Sequence, residues 1–326
     1  MLIESESCEQ CRFDSTAYTD EDVAGTLRTV GGWWRLATQG IDATTLQSRP
    51  TPETWSAVEY AHHTAAVTLL LGAALAVQTG ANGIDFGPEP EPEAVAATPL
   101  VAEIGPLLDH IEAAADKFVA QLPEAASSPN IAQLGADTYP TSWITRHACH
   151  DALHHLQDVG RGLHLLGAGT PSQQALVTQI NQGSGGVPKH AVDEARIGYR
   201  GIAGDKQRAR VHHGRVWQAL CLYSSEAINR LRAEGHPIEA GFAGENLTLA
   251  GIDWATLRPN TRIAIGNEVM LELTVPALPC KKNAQWFRGG DFMRMHHVEH
   301  PGETRWYARV LHDGVVRRGD AAVVEP

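Results

Sequence analysis

Arg146-His147-Ala148-Cys149-His150-Asp151-Ala152-Leu153-His154-His155-Leu156-Gln157-Asp158 decides how the first half of the chain is read. Wound as a helix, it sets His147, His150, His154 and Asp158 at steps of three, four and four, on one face. No Gly or Pro falls between Trp143 and Gly160, so a helix is expected to run unbroken there. His150 and His154, one turn apart, can aim two imidazoles at one point, the arrangement a helical metal site requires. Such a pair is a weak signal alone, because many paired histidines sit on solvated faces. A third ligand must come from elsewhere.

Working outward, the first half reads as four helices. One spans about Asp22 to Gly40, after Thr19-Asp20-Glu21-Asp22 with acids in the first turn. A second follows Trp55, carries Val58, Ala61, Ala65 and Leu69, and ends near Gly80. The connection Ala81 to Thr98 contains Pro88-Glu89-Pro90-Glu91-Pro92 and is not helical throughout. A third helix opens at Thr98-Pro99, with Leu100, Ile104, Leu107, Leu108, Ile111 and Ala115 on one side. The histidine helix runs from about Thr141 to Leu166, closed by Gly167 and Gly169. Two helical hairpins joined by a long crossover make a four-helix bundle.

Residues 169–185, rich in Gln, Gly and Ser, read as a linker. Beyond it, short β-rich runs alternate with Gly, Pro and Asp turns: Val216 to Tyr223, Arg262 to Ile265, Val269 to Val275, Tyr307 to Leu311 and Ala321 to Val324. One amphipathic helix interrupts them at about Ser224 to Glu234. The fold class is therefore multi-domain α and β: a four-helix bundle over 18–168, then a mostly-β barrel with an inserted helix over 186–326. Residues 1–17 read as a disordered tail.

Charge supports the division. The chain carries a formal −12 over 326 residues. Residues 1–179 hold 22 acids against 7 bases, whereas 180–326 hold 16 against 19. A chain-wide negative field argues against a nucleic-acid partner. The longest apolar run, about Ala65 to Val77, is broken by Thr68 and Gly72 and is too short to span a bilayer. The acidic, polar start is no signal peptide, and a cytoplasmic location is expected. Five cysteines do not make a disulfide framework. Cys8 and Cys11 form a C-x-x-C inside the polar tail, where a disordered segment is favoured over a zinc or redox motif. Cys149 and Cys221 read as packed thiols.

The third metal ligand has two candidates on the second helix, His62 and His63. Neighbouring residues on a helix point about 100° apart, so only one faces the bundle axis. Periodicity puts His62 nearer the apolar face and His63 at its edge, and spacing leaves both open. Trp55-Ser56-Ala57-Val58-Glu59-Tyr60-Ala61-His62-His63 and His150 to Asp158 resemble the two signature segments of the DinB superfamily, in its actinobacterial, thiol-dependent branch. The resemblance covers about Tyr18 to Gly167. It implies a four-helix bundle whose metal ligands are His63, His150 and His154, holding zinc first, with nickel or iron as alternatives. It also implies the joining of a low-molecular-weight thiol, such as mycothiol, to an electrophile. Three neutral imidazoles leave an open position on a divalent ion, and a thiol bound there becomes a nucleophile. Asp151 and Asp158 are placed to hold imidazole N–H groups behind the ligands.

The second half has its own resemblance. Gly185-Gly186-Val187-Pro188-Lys189, Gly201 to Gln207, His212-His213-Gly214, Gly244-Glu245-Asn246-Leu247-Thr248, Pro279-Cys280-Lys281-Lys282 and Arg305 to Val310 are similar, in order, to segments of the MOSC domain. Arg215 departs from it, standing where a second Gly is usual. Adjacent Lys281 and Lys282 favour a thiolate at Cys280, which can ligate a soft metal or carry a persulfide sulfur. Lys206, Arg208, Arg210, His213 and Lys282, with Asn246, form the set expected to hold an anionic cofactor or substrate. The resemblance implies that Cys280 binds molybdenum cofactor, or carries sulfur.

Together these features point to an enzyme that transfers sulfur or thiol groups, with a small-molecule thiol and an electrophilic or sulfur-accepting substrate as partners and a homodimer as one assembly it allows. Two other readings stand beside it. One is a molybdenum-cofactor-dependent reductase of N-hydroxylated compounds, and the other is a non-catalytic carrier of sulfur or cofactor.

Overall fold

The computed structural model describes residues 4–78, 103–127, 131–134, 137–207 and 214–325. They form two compact units, dividing between Ala168 and Gly169.

In the first unit, two capping boxes set where the helices begin. Helix α1 (Asp20–Thr38) opens with the Thr19 hydroxyl accepting from the Asp22 N–H at 3.2 Å, while the Asp22 carboxylate accepts from the Thr19 N–H at 3.0 Å. A short helix α2 (Ala43–Gln47) follows, then helix α3 (Ala57–Gln78). Ser56 and Glu59 repeat the box: the Ser56 N–H donates to Glu59 at 2.7 Å and the Glu59 N–H donates to Ser56 Oγ at 3.2 Å. Arg49 Nε donates to the same carboxylate at 2.9 Å. This box fixes the register of α3, and His63 stands one turn beyond Glu59.

Helix α4 (Ile104–Ser127) and helix α5 (Thr141–Leu165) complete the bundle. Helices α1 and α3 each pack against both α4 and α5, so the two early helices lie diagonally across the bundle. The interior holds Val23, Leu27, Trp34, Ala61, Leu75, Ile111, Phe118, Ile144, Ala148 and Leu156, all almost fully buried. Helix α5 ends in a Schellman arrangement, with Ala168 N–H donating to Leu163 O, Gly167 N–H donating to His164 O, and Gly167 at φ +75°. The Ala81–Thr98 connection and the Thr98-Pro99 start lie outside the described residues; α4 is helical from Ile104.

The expectation of a disordered tail is corrected. Strands β1 (Ser7–Cys8) and β2 (Phe13–Asp14) pair as a small hairpin, with Arg12 at φ +55° in its turn. Cys11 and Phe13 are buried. Composition hid this because the polar residues outnumber the two anchors. A further two-stranded hairpin, β3 (Ile131–Leu134) with β4 (Asp137–Pro140), leads into α5.

The second unit is a closed barrel. Its strands are β5 (Gln173–Gln182), β9 (Leu220–Ser224), β10 (Leu247–Ala250), β11 (Arg262–Ile265), β12 (Val269–Ala277), β13 (Arg305–His312) and β15 (Ala321–Glu325). They follow the order β10, β9, β13, β12, β11, β15, β5, and β5 pairs back with β10 to close the ring. Among the described strands only β9 and β10 pair in parallel. Strand β6 (His190–Val192) extends β5. A separate sheet joins β14 (Gly314–Arg317), β7 (Glu194–Gly198) and β8 (Gly201–Ile202). Alternate residues fill the barrel: Leu220 and Leu222, Leu247 and Leu249, Ile263 and Ile265, Leu271 and Leu273, Ala308 and Val310, Ala322 and Val324. Helix α6 (Ser225–Ala233), capped by Ser224, covers a second cluster with Tyr223, Ile238, Phe287 and Met295.

Two boundaries differ from the sequence reading. The supposed linker contains β5, which closes the barrel. Val177 and Ile180 face the barrel core and Asn181 is buried as well, whereas Gln174 and Leu176 are exposed. Val216–Gln218 is a 3-10 turn, and β9 starts only at Leu220. Among the described residues no helix is long and apolar enough to cross a membrane.

Replacing Glu59 with Ala removes a capping bond and the Arg49 pairing. Stability to urea is expected to fall by about 1–3 kcal/mol, with no change in the barrel unit.

Candidate metal centre and the cysteine loop

Helix α5 carries not one ligand pair but two. His150 and His154 are four apart, and so are Asp151 and His155, one residue further on. A one-residue offset rotates the second pair about 100° around the helix. The two pairs therefore face different neighbours.

Asp151 and His155 face α3. His63 Nε2 lies 3.3 Å from Asp151 Oδ1, and His155 Nε2 lies 3.4 Å from the same oxygen. The donor atoms of His63, Asp151 and His155 all fall within 4.8 Å of one another. His63 and His155 meet edge to face, with ring centroids 4.8 Å apart. Trp55 packs on His63 at 5.2 Å and Tyr60 stacks on His155 at 5.2 Å, covering one side of each ring. His155 Nδ1 is held by Asp158 Oδ2 at 3.0 Å, and Arg161 holds the other oxygen of Asp158. Asp151 Oδ2 is buried and has no hydrogen-bond partner among the described residues.

The electrostatics follow from this packing. Burial alone would raise the Asp151 carboxyl, but contacts with His155 and His63 outweigh it and hold the group well below the ordinary carboxylate range. Burial would likewise lower His155, but Asp151 and Asp158 push it up to about 9.

The triad expected from the sequence, His63 with His150 and His154, does not converge among the described residues. His150 and His154 turn instead toward the N-terminal hairpin, where they meet Cys8 and Cys11. Glu6 Oε1 accepts from His150 Nδ1 at 2.6 Å, and Phe13 stacks on the His150 ring at 4.6 Å. His62 is exposed, and His63 is the histidine turned toward α5. Asp151 and His155 are not distinguished as ligands by spacing, because D-x-x-x-H overlaps H-x-x-x-H one residue out of register on the same helix. A carboxylate serves a divalent ion as well as an imidazole does.

In the barrel unit, Cys280 is partly exposed and caps a 3-10 turn (Lys281–Trp286) that follows β12. Arg305 fastens this loop: it donates to Leu278 O at 3.1 Å and to Ala243 O at 2.6 Å. Phe287, just beyond the turn, anchors it in the cluster under α6. The residues expected to cradle an anion divide. Lys206 and Lys282 are exposed, and Arg208 and His213 lie outside the described residues. Asn246 is buried, and its amide is spent on protein: Nδ2 donates to Asp205 Oδ2 at 3.0 Å, and Oδ1 accepts from Cys221 N–H at 3.1 Å. Asp205 also takes Lys189 Nζ at 2.7 Å and the Gly183 N–H at 2.8 Å. Asn246 is thus a tie between loops. For molybdenum cofactor, these residues supply one soft ligand, Cys280, and one exposed lysine in the turn that follows it, Lys282, but not the buried cradle expected of Asn246.

Metal capture at His63, Asp151 and His155 competes with a proton on His155. That proton stabilises metal-stripped protein below about pH 6.5 and is lost as pH rises through about 9. Zinc affinity, read by competition with a chromophoric chelator, is therefore expected to climb from pH 6.5 towards 9, while metal-stripped protein loses thermal stability over the same range.

Comparison with known proteins bears on the barrel unit. The family model of the MOSC domain matches residues 209–323. Similar solved structures include YiiM from Geobacillus stearothermophilus, at 24% identity over 47% of this chain and 75% of that one, with a TM-score of 0.37. The YUAD protein from Bacillus subtilis is 19% identical over 47% of this chain and 97% of its own, with a TM-score of 0.38. YiiM from Escherichia coli is 21% identical over 48% and 71%, with a TM-score of 0.36. No curated protein matches the sequence. The chain thus joins an N-terminal helical unit to a seven-stranded, MOSC-type barrel with an added helix.

Proposed function

We propose that the helical unit is a metal-dependent site for thiol chemistry, with His63, Asp151 and His155 as protein ligands in place of the expected histidine triad. The observation that carries this reading is the convergence of donor atoms from His63, Asp151 and His155 within 4.8 Å of one another, with the second carboxylate oxygen, Asp151 Oδ2, buried and without a hydrogen-bond partner among the described residues. Three protein donors are the set used by catalytic sites, which keep one position for a substrate or water. A divalent ion bound there supplies Lewis acidity, lowering the pKa of a thiol brought to it.

The chain's own residues supply the rest. Asp158 fixes His155 by accepting from its Nδ1, which leaves Nε2 as the donor facing Asp151. Asp151 carries the negative charge that offsets a divalent ion in a half-buried setting. Trp55 and Tyr60 exclude water beside the imidazoles and leave an aromatic wall for an apolar electrophile. The substrate class that fits is a small thiol with an electrophilic acceptor. Cys280 in the barrel is proposed as a sulfur carrier or soft-metal ligand: it is partly exposed, whereas Cys221 of the same unit is buried. A molybdenum-dependent reductase remains the second reading, favoured by the MOSC match together with this accessible thiol.

The test combines metal analysis with a thiol-conjugation assay against a panel of electrophiles. His63→Ala and His155→Ala are each expected to lose one equivalent of metal and to cut thiol-dependent turnover by about 10²-fold or more. Asp158→Asn is expected to weaken metal affinity by about 10–100-fold. Full turnover by metal-stripped protein, or by His63→Ala, would sink the reading. Molybdenum in protein from a host that makes the cofactor, lost in Cys280→Ser, would move the barrel to the second reading.

A further inference from the structure

The hairpin that replaces the expected tail brings Cys8 and Cys11 to His150 and His154. One donor atom from each of the four falls within 4.8 Å of the others. Cys8 Sγ lies 3.6 Å from His154 Nδ1. A tetrahedral zinc with ordinary Zn–S and Zn–N bond lengths puts sulfur and nitrogen about 3.5 Å apart. The backbone N–H groups of Gln10 and Cys11 point at the Cys8 sulfur, as expected where a thiolate is held in a tight turn.

A second observation points to a ligand independently. His150 Nδ1 is engaged by Glu6 Oε1 at 2.6 Å, so its other nitrogen is the one left to act. That atom, Nε2, is buried and has no hydrogen-bond partner among the described residues. A carboxylate behind one ring nitrogen and an unmet acceptor on the other is how a metal-bound histidine is oriented. His154 shows a weaker version, with Nε2 3.7 Å from Asp158 Oδ2 while Nδ1 faces the cysteine.

We infer that Cys8, Cys11, His150 and His154 form a second metal site, of zinc type, that staples the N-terminal hairpin onto α5. Four protein donors close the coordination sphere, so this site is structural, whereas the His63 set has three. The hairpin needs such a staple. Its two strands are two residues each, too short to hold by pairing alone, and Cys11 and Phe13 are its buried apolar anchors. A metal joining residues 8 and 11 to 150 and 154 closes a loop of most of the unit, and its binding free energy becomes folding free energy for that segment.

The test uses the full chain. Wild type is expected to bind two equivalents of zinc or cobalt. The cobalt form should show the near-ultraviolet sulfur-to-metal charge-transfer band of a thiolate site. Cys8→Ser with Cys11→Ser should lose that band and one equivalent, whereas His63→Ala should lose one equivalent and keep the band. A measurement on wild type guards against misfolding of the double variant: Cys8 and Cys11 should resist alkylation until a chelator is added, as read by peptide mass spectrometry. A Cys8–Cys11 disulfide in metal-replete protein, free alkylation without chelator, or a band that survives the double substitution would overturn the inference. An intact band in an inactive His63→Ala leaves this site standing. Loss of the band with full thiol-dependent turnover leaves the proposed function standing.

Discussion

The helical unit depends on a single geometric fact, the turn of an α-helix between adjacent residues. On α5, His150 with His154 and Asp151 with His155 are two i,i+4 pairs displaced by one position. Each pair is pre-aligned by the helix, and the displacement sends them to different neighbours. One meets α3 at His63 and the other meets the hairpin at Cys8 and Cys11. Neither set could be assembled from α5 alone: the first fails if the register of α3 slips, and the second if the hairpin does.

Burial makes these sites costly without a cation. Asp151 is buried between two imidazoles, and a buried carboxylate is tolerated only when paired. In metal-free protein the pairing comes from a proton on His155; a divalent ion does the same with more charge. Asp158 touches both sets, bonding His155 Nδ1 and lying near His154 Nε2. It therefore orients donors on two faces of the helix at once.

In the barrel unit the same accounting explains why the motif residues are buried rather than displayed. Lys189, Asp205 and Asn246 come from three separate loops and satisfy one another. An unmet buried charge at Lys189 or Asp205 would cost several kcal/mol, and an unmet amide at Asn246 about 1–3 kcal/mol, so their partnership holds the loops together. Arg305 does the same for the turn that presents Cys280, by capping two carbonyls that have no place in the sheet. These residues position the cysteine.

Much of the fold was legible in the residues. Helical periodicity, the capping sequence at Thr19 and the Gly167 stop marked the bundle, and β-rich runs between Gly, Pro and Asp turns, such as Arg262 to Ile265, marked barrel strands. These are local signals, written within one or two turns. The chain-order motifs likewise placed Cys280 and its loops in one domain. What remained illegible was whatever depends on which faces meet. A C-x-x-C in a polar tail carries no sign that it docks on a helix at the far end of the unit, and β5 looks like a linker until it closes the ring between β15 and β10. The choice between two overlapping pairs on α5 was likewise made by packing. Local sequence sets the angle between neighbouring side chains; only the tertiary structure decides which of them finds a partner.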